Sequence, residues 1–242
     1  MGSDLGVRAI ILAGGRGRRL EPYTSVLPKP LMPIGDRAIL EITVDRLIEC
    51  GITDITLCVG HLAHLIEAVF NGRPRSAQFR YVREESPLGT AGPLRLVDDL
   101  TETFLLMNGD LLTDLAFHEL VEAHRRAGNV ATIATHERRD TIDYGVLHVE
   151  DGDSHRLVRY EEKPEIALTV SMGIYVLEPS VLEHVPSGYF DFPDLIRALL
   201  ENGERVGTYP FPGYCLDIGR RDDYEQAIEK WAGLDPDNAR GK

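Results

Sequence analysis

An α/β fold built on a largely parallel sheet is what this 242-residue chain predicts, on three observations. Apolar runs without polar alternation, such as Ala9-Ile10-Ile11-Leu12-Ala13, read as strands buried on both faces. Through the first half these runs alternate with segments of helical period, which imposes parallel pairing and right-handed crossovers. In the second half the helices thin out and strands follow one another closely, so antiparallel strands are expected at the sheet edge or over its mouth.

After the first strand, Ala38 to Cys50 carries apolar residues at helical spacing and is closed by Gly51. A second buried strand is expected over Ile52–Gly60 and a second helix over Leu62–Phe70. A short third strand covers Phe79–Val82, and a helix is expected to start near Ala91 and end at Val97. Thr103–Asn108 is a fourth strand, and Leu115–Ala127 a helix. Strands are then expected near 130–136, 144–149, 155–161 and 170–177. Helix Pro193–Glu201, strands near 205–210 and 214–216, and helix Asp222–Trp231 complete the chain. Asp114 and Asp194 read as helix N-caps. Residues 1–6 and 233–242 are expected to be loose termini.

Composition bounds the function. Hydrophobic content of 43% and charged content of 27% are those of a soluble globular protein, most simply one domain over residues 1–242. A net charge of −13 argues against a nucleic-acid partner. Cys50, Cys58 and Cys215 lack metal-ligand spacing and read as indifferent thiols of a reducing compartment. With no signal peptide and no membrane-length apolar run, a cytoplasmic location without membrane partners is expected.

Against that acidic background Arg16, Arg18, Arg19 and Lys29 are concentrated in one stretch. The first strand empties into Gly14-Gly15-Arg16-Gly17-Arg18-Arg19, where glycines let backbone N–H groups approach one anion and arginines supply charge. This describes a polyphosphate cradle. It is not a P-loop, because Arg19 stands where that motif's second glycine should fall. Nor is it the dinucleotide fingerprint, whose third glycine would be Leu20. Ligands of open α/β sheets bind beyond the carboxyl ends of the strands. Gly14–Arg19, Glu84–Gly92 and Gly109-Asp110 all fall at such ends.

The ordered run Leu12-Ala13-Gly14-Gly15-x-Gly17-x-Arg19-Leu20-x-Pro22-x-Thr24, followed by Pro28-Lys29-Pro30-Leu31-x-Pro33-Ile34, resembles the signature of the sugar-1-phosphate nucleotidyltransferases. The resemblance implies a Rossmann-like three-layer α/β/α fold, its mixed, mostly parallel sheet carrying an added antiparallel sugar-binding portion. It also implies transfer of a nucleoside monophosphate from a triphosphate to a sugar 1-phosphate, with pyrophosphate released. Some relatives carry a hexapeptide-repeat domain after the catalytic one; none is expected here.

By resemblance, Leu12, Ala13, Gly14, Gly15, Gly17, Arg18, Arg19 and Lys29 bind the nucleotide, together with Glu84, Pro87, Gly89, Thr90 and Asp110. Asp110 closes an apolar strand after a glycine and suits a Mg²⁺ ion bridging phosphate oxygens; Asp217 would be the second metal ligand. Asn108, Gly145, Glu162, Lys163, Ser171 and Gly173 would bind the sugar phosphate. Arg19, Lys29, Lys163 and Asp110 would carry catalysis. His61, His64, His118 and His136 are read as surface or core residues.

Glu84 to Gly92 is where base choice should lie. Guanine offers a donor pair that a carboxylate accepts bidentately, and the Gly89-Thr90-Ala91-Gly92 form resembles the guanylyltransferases, which favours GTP over dTTP or UTP. Ser171 departs from the asparagine that many hexose-1-phosphate relatives have there, leaving a modified sugar or cyclitol phosphate open. Two rivals stand beside this reading: a glycosyltransferase on a similar sheet, and a non-catalytic nucleotide-sugar-binding subunit. The sequence leaves the oligomeric state open, with a homodimer among the options.

Overall fold

The computed structural model describes residues 5–72, 76–152, 155–219 and 221–234, with side chains as far as residue 229. In chain order the first half runs β1 (Arg8–Ala13), β2 (Pro33–Ile34), β3 (Arg37–Ala38), α1 (Ile39–Glu49), β4 (Asp54–Val59), α2 (Ala63–Asn71), β5 (Gln78–Arg83), β6 (Phe104–Asn108), β7 (Leu111–Thr113) and α3 (Phe117–Ala127). The second half runs β8 (Ala131–Thr141), β9 (Gly145–Val149), β10 (Leu157–Glu162), β11 (Glu165–Leu177), α4 (Phe192–Glu201), β12 (Val206–Pro210), β13 (Cys215–Asp217) and α5 (Arg221–Leu234).

Seven strands form the central sheet in the order β12-β8-β11-β6-β1-β4-β5. β1 lies between β6 and β4, parallel to both, and β4 pairs parallel with β5. β11 runs antiparallel to β6 and β8, and β12 is parallel to β8, so one strand of the seven is reversed. The expected mixed, mostly parallel sheet is what forms.

Side chains alternate across each strand, and the two faces build two cores. Ala9, Ile11 and Ala13 of β1 join Ile55, Leu57 and Met107 under Leu40, Val44 and Leu47 of α1, Ile66 of α2 and Phe117 and Leu120 of α3. Ile10 points the other way, into a cluster with Leu106, Leu177 and Leu195 and Leu199 of α4. Helices therefore cover both faces, giving three layers. On that second face the rings of Tyr175 and Phe192 stack with centroids 3.6 Å apart, seating the first turn of α4 against β11.

A third cluster, with Leu20, Met32, Ile34, Leu112 and Ile218, underlies the segment after β1 and the small β7–β13 ladder. Beyond the sheet, β8 and β11 stay paired from Thr135–Ser171 to Thr141–Glu165 as a projecting arm. The β9–β10 hairpin is a separate two-stranded sheet between them in sequence. Its apolar residues Leu147, Val149, Leu157 and Tyr160 stand exposed.

Three local expectations are corrected. The helix near Ala91 is a 3-10 segment, Gly92–Leu96: Leu94 N–H donates to Ala91 O at 3.1 Å and Val97 N–H to Leu94 O at 3.3 Å, tight bonds that rarely extend beyond such a short run. Asp114 does not cap α3, whose N-cap is Ala116; its Oδ1 instead accepts the Tyr214 amide at 2.7 Å and ties β7 to β13. Asp194 lies inside the first turn of α4, and the N-cap position belongs to Asp191. Of the expected loose termini, residues 1–4 and 235–242 lie outside the described residues.

Candidate active site

A cavity of about 650 Å³ opens beyond the carboxyl ends of β1, β4, β5 and β6. That is the size and position expected of a small-molecule site in an open α/β sheet. Leu12, Ala13, Gly14, Gly15, Gly17, Arg19 and Lys29 line it from the first motif, and Asn108 and Asp110 from the end of β6. Glu84, Pro87, Gly89 and Thr90 line it from the loop after β5.

Local geometry explains the convergence. Gly17 has φ +62°, and an added Cβ would lie 2.8 Å from Thr24 Cγ2 and 3.2 Å from Lys29 Cβ. The Thr24 hydroxyl donates to the Gly17 carbonyl at 2.9 Å. The glycine loop is thus folded onto the Pro-Lys-Pro segment, bringing Arg19 and Lys29 to one wall. Gly109 does the same for Asp110: its N–H donates to Leu12 O at 2.9 Å, and a Cβ would sit 2.9 Å from that oxygen.

Lys29 is the electrostatic centre. Its side chain is 11% exposed; Nζ ion-pairs with Asp110 Oδ2 and lies 3.8 Å from Asp217 Oδ1. The β7–β13 ladder pairs Leu111 with Asp217, and Ile218 N donates to Asp110 O at 3.1 Å, which sets the two carboxylates together. Removal from water and the like charge of Asp110 raise the Asp217 pKa, while Lys29 pulls it down. Because the Asp217 side chain is 63% exposed, solvent screens much of that effect. Asp110 Oδ1 is buried without a hydrogen-bond partner among the described residues. An unsatisfied hard oxygen beside a second carboxylate fits a divalent cation that takes its remaining ligands from phosphates. Among the described residues no group of three or more His, Cys, Asp and Glu forms a complete metal cage.

Glu84 enters the cavity beside the glycine loop, where a Cβ on Gly14 would lie 2.4 Å from its Oε1; burial raises the Glu84 pKa, opposed by the Leu88 N–H that donates to Oε2 at 3.1 Å. Burial, with Glu84 nearby, pushes the Cys58 thiol up to about 12, which makes it the inert thiol expected.

The remaining expected site residues stand outside the cavity lining. Arg18 is exposed on the short 3-10 turn Arg18–Leu20. Gly145 packs on the Tyr160 ring, and the Tyr160 hydroxyl donates to Glu162 Oε2 at 2.5 Å. Lys163 follows β10 with φ +46°, an uncommon conformation for a side-chain-bearing residue. Gly173, φ +72°, abuts the Asn108 amide at an irregularity of β11. Ser171 spends its hydroxyl there, accepting Gly173 N–H and donating to the Tyr175 hydroxyl, each at 3.1 Å.

His61, Tyr189 and Asp191 also line the cavity, and sequence reasoning had not placed them there. His61 Nε2 is 3.2 Å from Thr24 O, next to the glycine loop. Its position just after the apolar strand β4 was a usable signal. Tyr189 and Asp191 reach the site from the distant approach to α4, which no spacing announces.

The family model described as Nucleotidyl transferase matches residues 8–232. The chain belongs to this nucleotidyl transferase family. Among family relatives, a mannose-1-phosphate guanyltransferase of Debaryomyces hansenii is 32% identical over 230 residues, covering 90% of this chain and 62% of the relative. A UTP–glucose-1-phosphate uridylyltransferase of Synechocystis is 32% identical over 244 residues, covering 92% of this chain and again 62% of the relative. The chain therefore spans about 62% of the length of these curated relatives. Among solved structures, a Bacillus anthracis protein provisionally named a glucose-1-phosphate thymidylyltransferase, in complex with sucrose, superposes with TM-score 0.74 at 25% identity, covering 93% of this chain and 94% of that one. Among the described residues no helix is long and apolar enough to cross a membrane.

Proposed function

We propose that this nucleotidyl transferase family member joins a nucleoside triphosphate, GTP by preference, to a sugar or cyclitol 1-phosphate and releases pyrophosphate. The observation that carries the reading is Lys29, held with Arg19, Asp110 and the glycine loop on the walls of one cavity. A phosphate-monoester oxygen forms a bond to the α-phosphorus, and the bond from that phosphorus to the bridging oxygen of pyrophosphate breaks. Two anions must meet, so the task is positioning and charge neutralisation. The monoester is already ionised near neutral pH, and no general base is needed.

Arg19 holds the leaving phosphates, Lys29 the phosphates at the reacting centre, and Lys163 the incoming phosphate. The left-handed backbone at Lys163 supports a functional placement, since such conformations persist where the surroundings demand them. Asp110 and Asp217 are the residues that would hold Mg²⁺, which when bound neutralises phosphate charge. The buried, unpartnered Asp110 Oδ1 supports that assignment. Glu84 would accept the guanine N1–H and N2–H₂ pair. The reading places the enzyme in the cytoplasm.

Relatives named for GTP and UTP make the base the point to test first. A matrix of GTP, dTTP, UTP, CTP and ATP against sugar 1-phosphates, read by pyrophosphate release, decides it. Turnover with GTP above the pyrimidines is expected; a pyrimidine preference overturns the guanine assignment, and no release with any pair overturns the reaction.

A further inference from the structure

We propose that Asp191 is a positioning residue for nucleobase selection: it clamps the Gly89–Thr90 edge of the cavity from outside the loop that contains it. The inference rests on the nucleotide reading of the cavity and goes beyond it in naming what holds the base end in shape.

Asp191 occupies the N-cap position of α4, with extended backbone, yet its side chain makes no cap hydrogen bond. An aspartate there ordinarily accepts an N–H of its own helix. Here Oδ1 instead accepts the Thr90 amide at 3.0 Å and the Thr90 hydroxyl at 3.2 Å, across 101 residues of sequence. Thr90 Oγ1 returns the favour, accepting the Phe192 N–H at 2.7 Å, and so does the capping that Asp191 gave up. Oδ2 is used as well, by the Tyr189 hydroxyl at 2.6 Å. A carboxylate with both oxygens committed to one geometry is a rigid part.

The same segment grips the loop through its backbone. Ala91 N and Gly92 N both donate to Phe190 O, at 3.0 and 2.9 Å, and Phe190 N donates to Leu88 O at 2.9 Å. Gly89 has φ +81°, and a Cβ there would lie 2.5 Å from Phe190 O and 2.8 Å from Asp191 Oδ1. No side chain fits between loop and clamp, so the depth of the base end is set by how closely Asp191 draws Thr90 in. At the loop's other end Glu84 accepts Leu88 N–H at 3.1 Å, which pins the carboxylate that faces the cavity. Selectivity is a difference between two affinities, and a displaced edge changes that difference before it abolishes binding.

The test is direct binding of GTP and of UTP to the full chain by equilibrium dialysis, with no turnover required. Asp191→Ala is expected to move the ratio of the two dissociation constants roughly tenfold toward unity, the scale of about one lost hydrogen bond. Asp191→Asn, which keeps an acceptor oxygen for Thr90, is expected to retain most of the ratio. Thr90→Val should act in the same direction as Asp191→Ala, and the double variant should be no worse than the worse single one. An unchanged ratio in folded Asp191→Ala overturns the proposal, as do single effects that add. If Asp191→Ala does not fold, Thr90→Ser against Thr90→Val decides: equal ratios overturn the clamp. A wild-type protein that binds both nucleotides equally also overturns it. One that binds neither removes the nucleotide reading of the cavity itself.

Discussion

Lys29 and Asp110, 81 residues apart, form an ion pair whose other carboxylate oxygen, Asp110 Oδ1, is buried and has no partner among the described residues. The pair sits where the carboxyl ends of β1 and β6 meet, so one cation and one anion line the cavity together, at the part proposed to take the phosphates. Under the proposed reaction, replacing Lys29 by Ala removes a positive charge from the reacting centre. Pyrophosphate release should fall by roughly 10²–10³-fold, the scale for one lost electrostatic donor. Lys29→Arg, which keeps the charge but changes the donor geometry, should recover only part of it. Steady-state kinetics on purified variants with matched melting temperatures is the check, and near-normal turnover in Lys29→Ala would remove this residue from the chemistry.

Asp110→Asn tests the other half of the pair. The amide still fills the space but no longer offers two anionic oxygens to a divalent ion. Mg²⁺-dependent pyrophosphate release should disappear, and the Mg²⁺ concentration needed for any residual turnover should rise. Asp217→Asn should act in the same direction but more weakly, because Asp217 is far more exposed. A titration of rate against Mg²⁺ reads both; wild-type dependence in Asp110→Asn would exclude it as a ligand.

Lys163 lies outside the cavity lining, at the exit of the β9–β10 hairpin, where its N–H donates to Tyr144 O at 3.3 Å. If it holds the incoming phosphate, Lys163→Ala should raise the KM for the sugar phosphate and lose most of the turnover while leaving triphosphate binding intact. Calorimetric titration with the triphosphate alone separates the two substrates. Weakened triphosphate binding with an unchanged sugar-phosphate KM would assign Lys163 to the wrong end of the reaction.

What the sequence disclosed followed from physics that acts locally. β1, β4 and β6 were legible because a strand buried on both faces has no polar alternation. The Gly14–Arg19 loop and the Pro28-Lys29-Pro30 segment were legible because glycine, proline and clustered cations each restrict what a loop can do. The register irregularity of β11 at Gly173 and the projecting arm of β8 and β11 were not, since pairing partners distant in sequence decide them. Asp114 and Asp194 show the same limit. Each is a plausible local cap, but the Asp114 carboxylate is taken by the Tyr214 amide, and Pro193 sits inside the first turn with Asp191 before it. Asp191 was invisible for a related reason: its partner, Thr90, is brought to it by the whole sheet, and Tyr189 joins the cluster only through Asp191.

Glu84 makes the final prediction, in which pH and base choice are linked. Burial raises its pKa above the ordinary glutamate range, so the folded protein holds this proton at pH values where the unfolded chain has released it. With more protons bound in the folded state, stability falls as pH rises from the ordinary glutamate range through the raised folded value. Glu84→Gln removes the desolvated charge and should flatten that part of the stability profile, measured by denaturant melts across mildly acidic pH. Under the proposed base assignment, guanine acts on the same group from the other side. Its N1–H and N2–H₂ favour the charged carboxylate, so GTP binding in this pH window should release a proton, visible as a buffer-dependent heat in calorimetry. In Glu84→Gln the amide presents one donor and one acceptor, a poorer match for guanine. The preference for GTP over UTP should then drop about tenfold, roughly the loss of one charge-assisted hydrogen bond. If the stability profile flattens while base preference stays put, Glu84 is a buried carboxylate of the loop and guanine is read elsewhere.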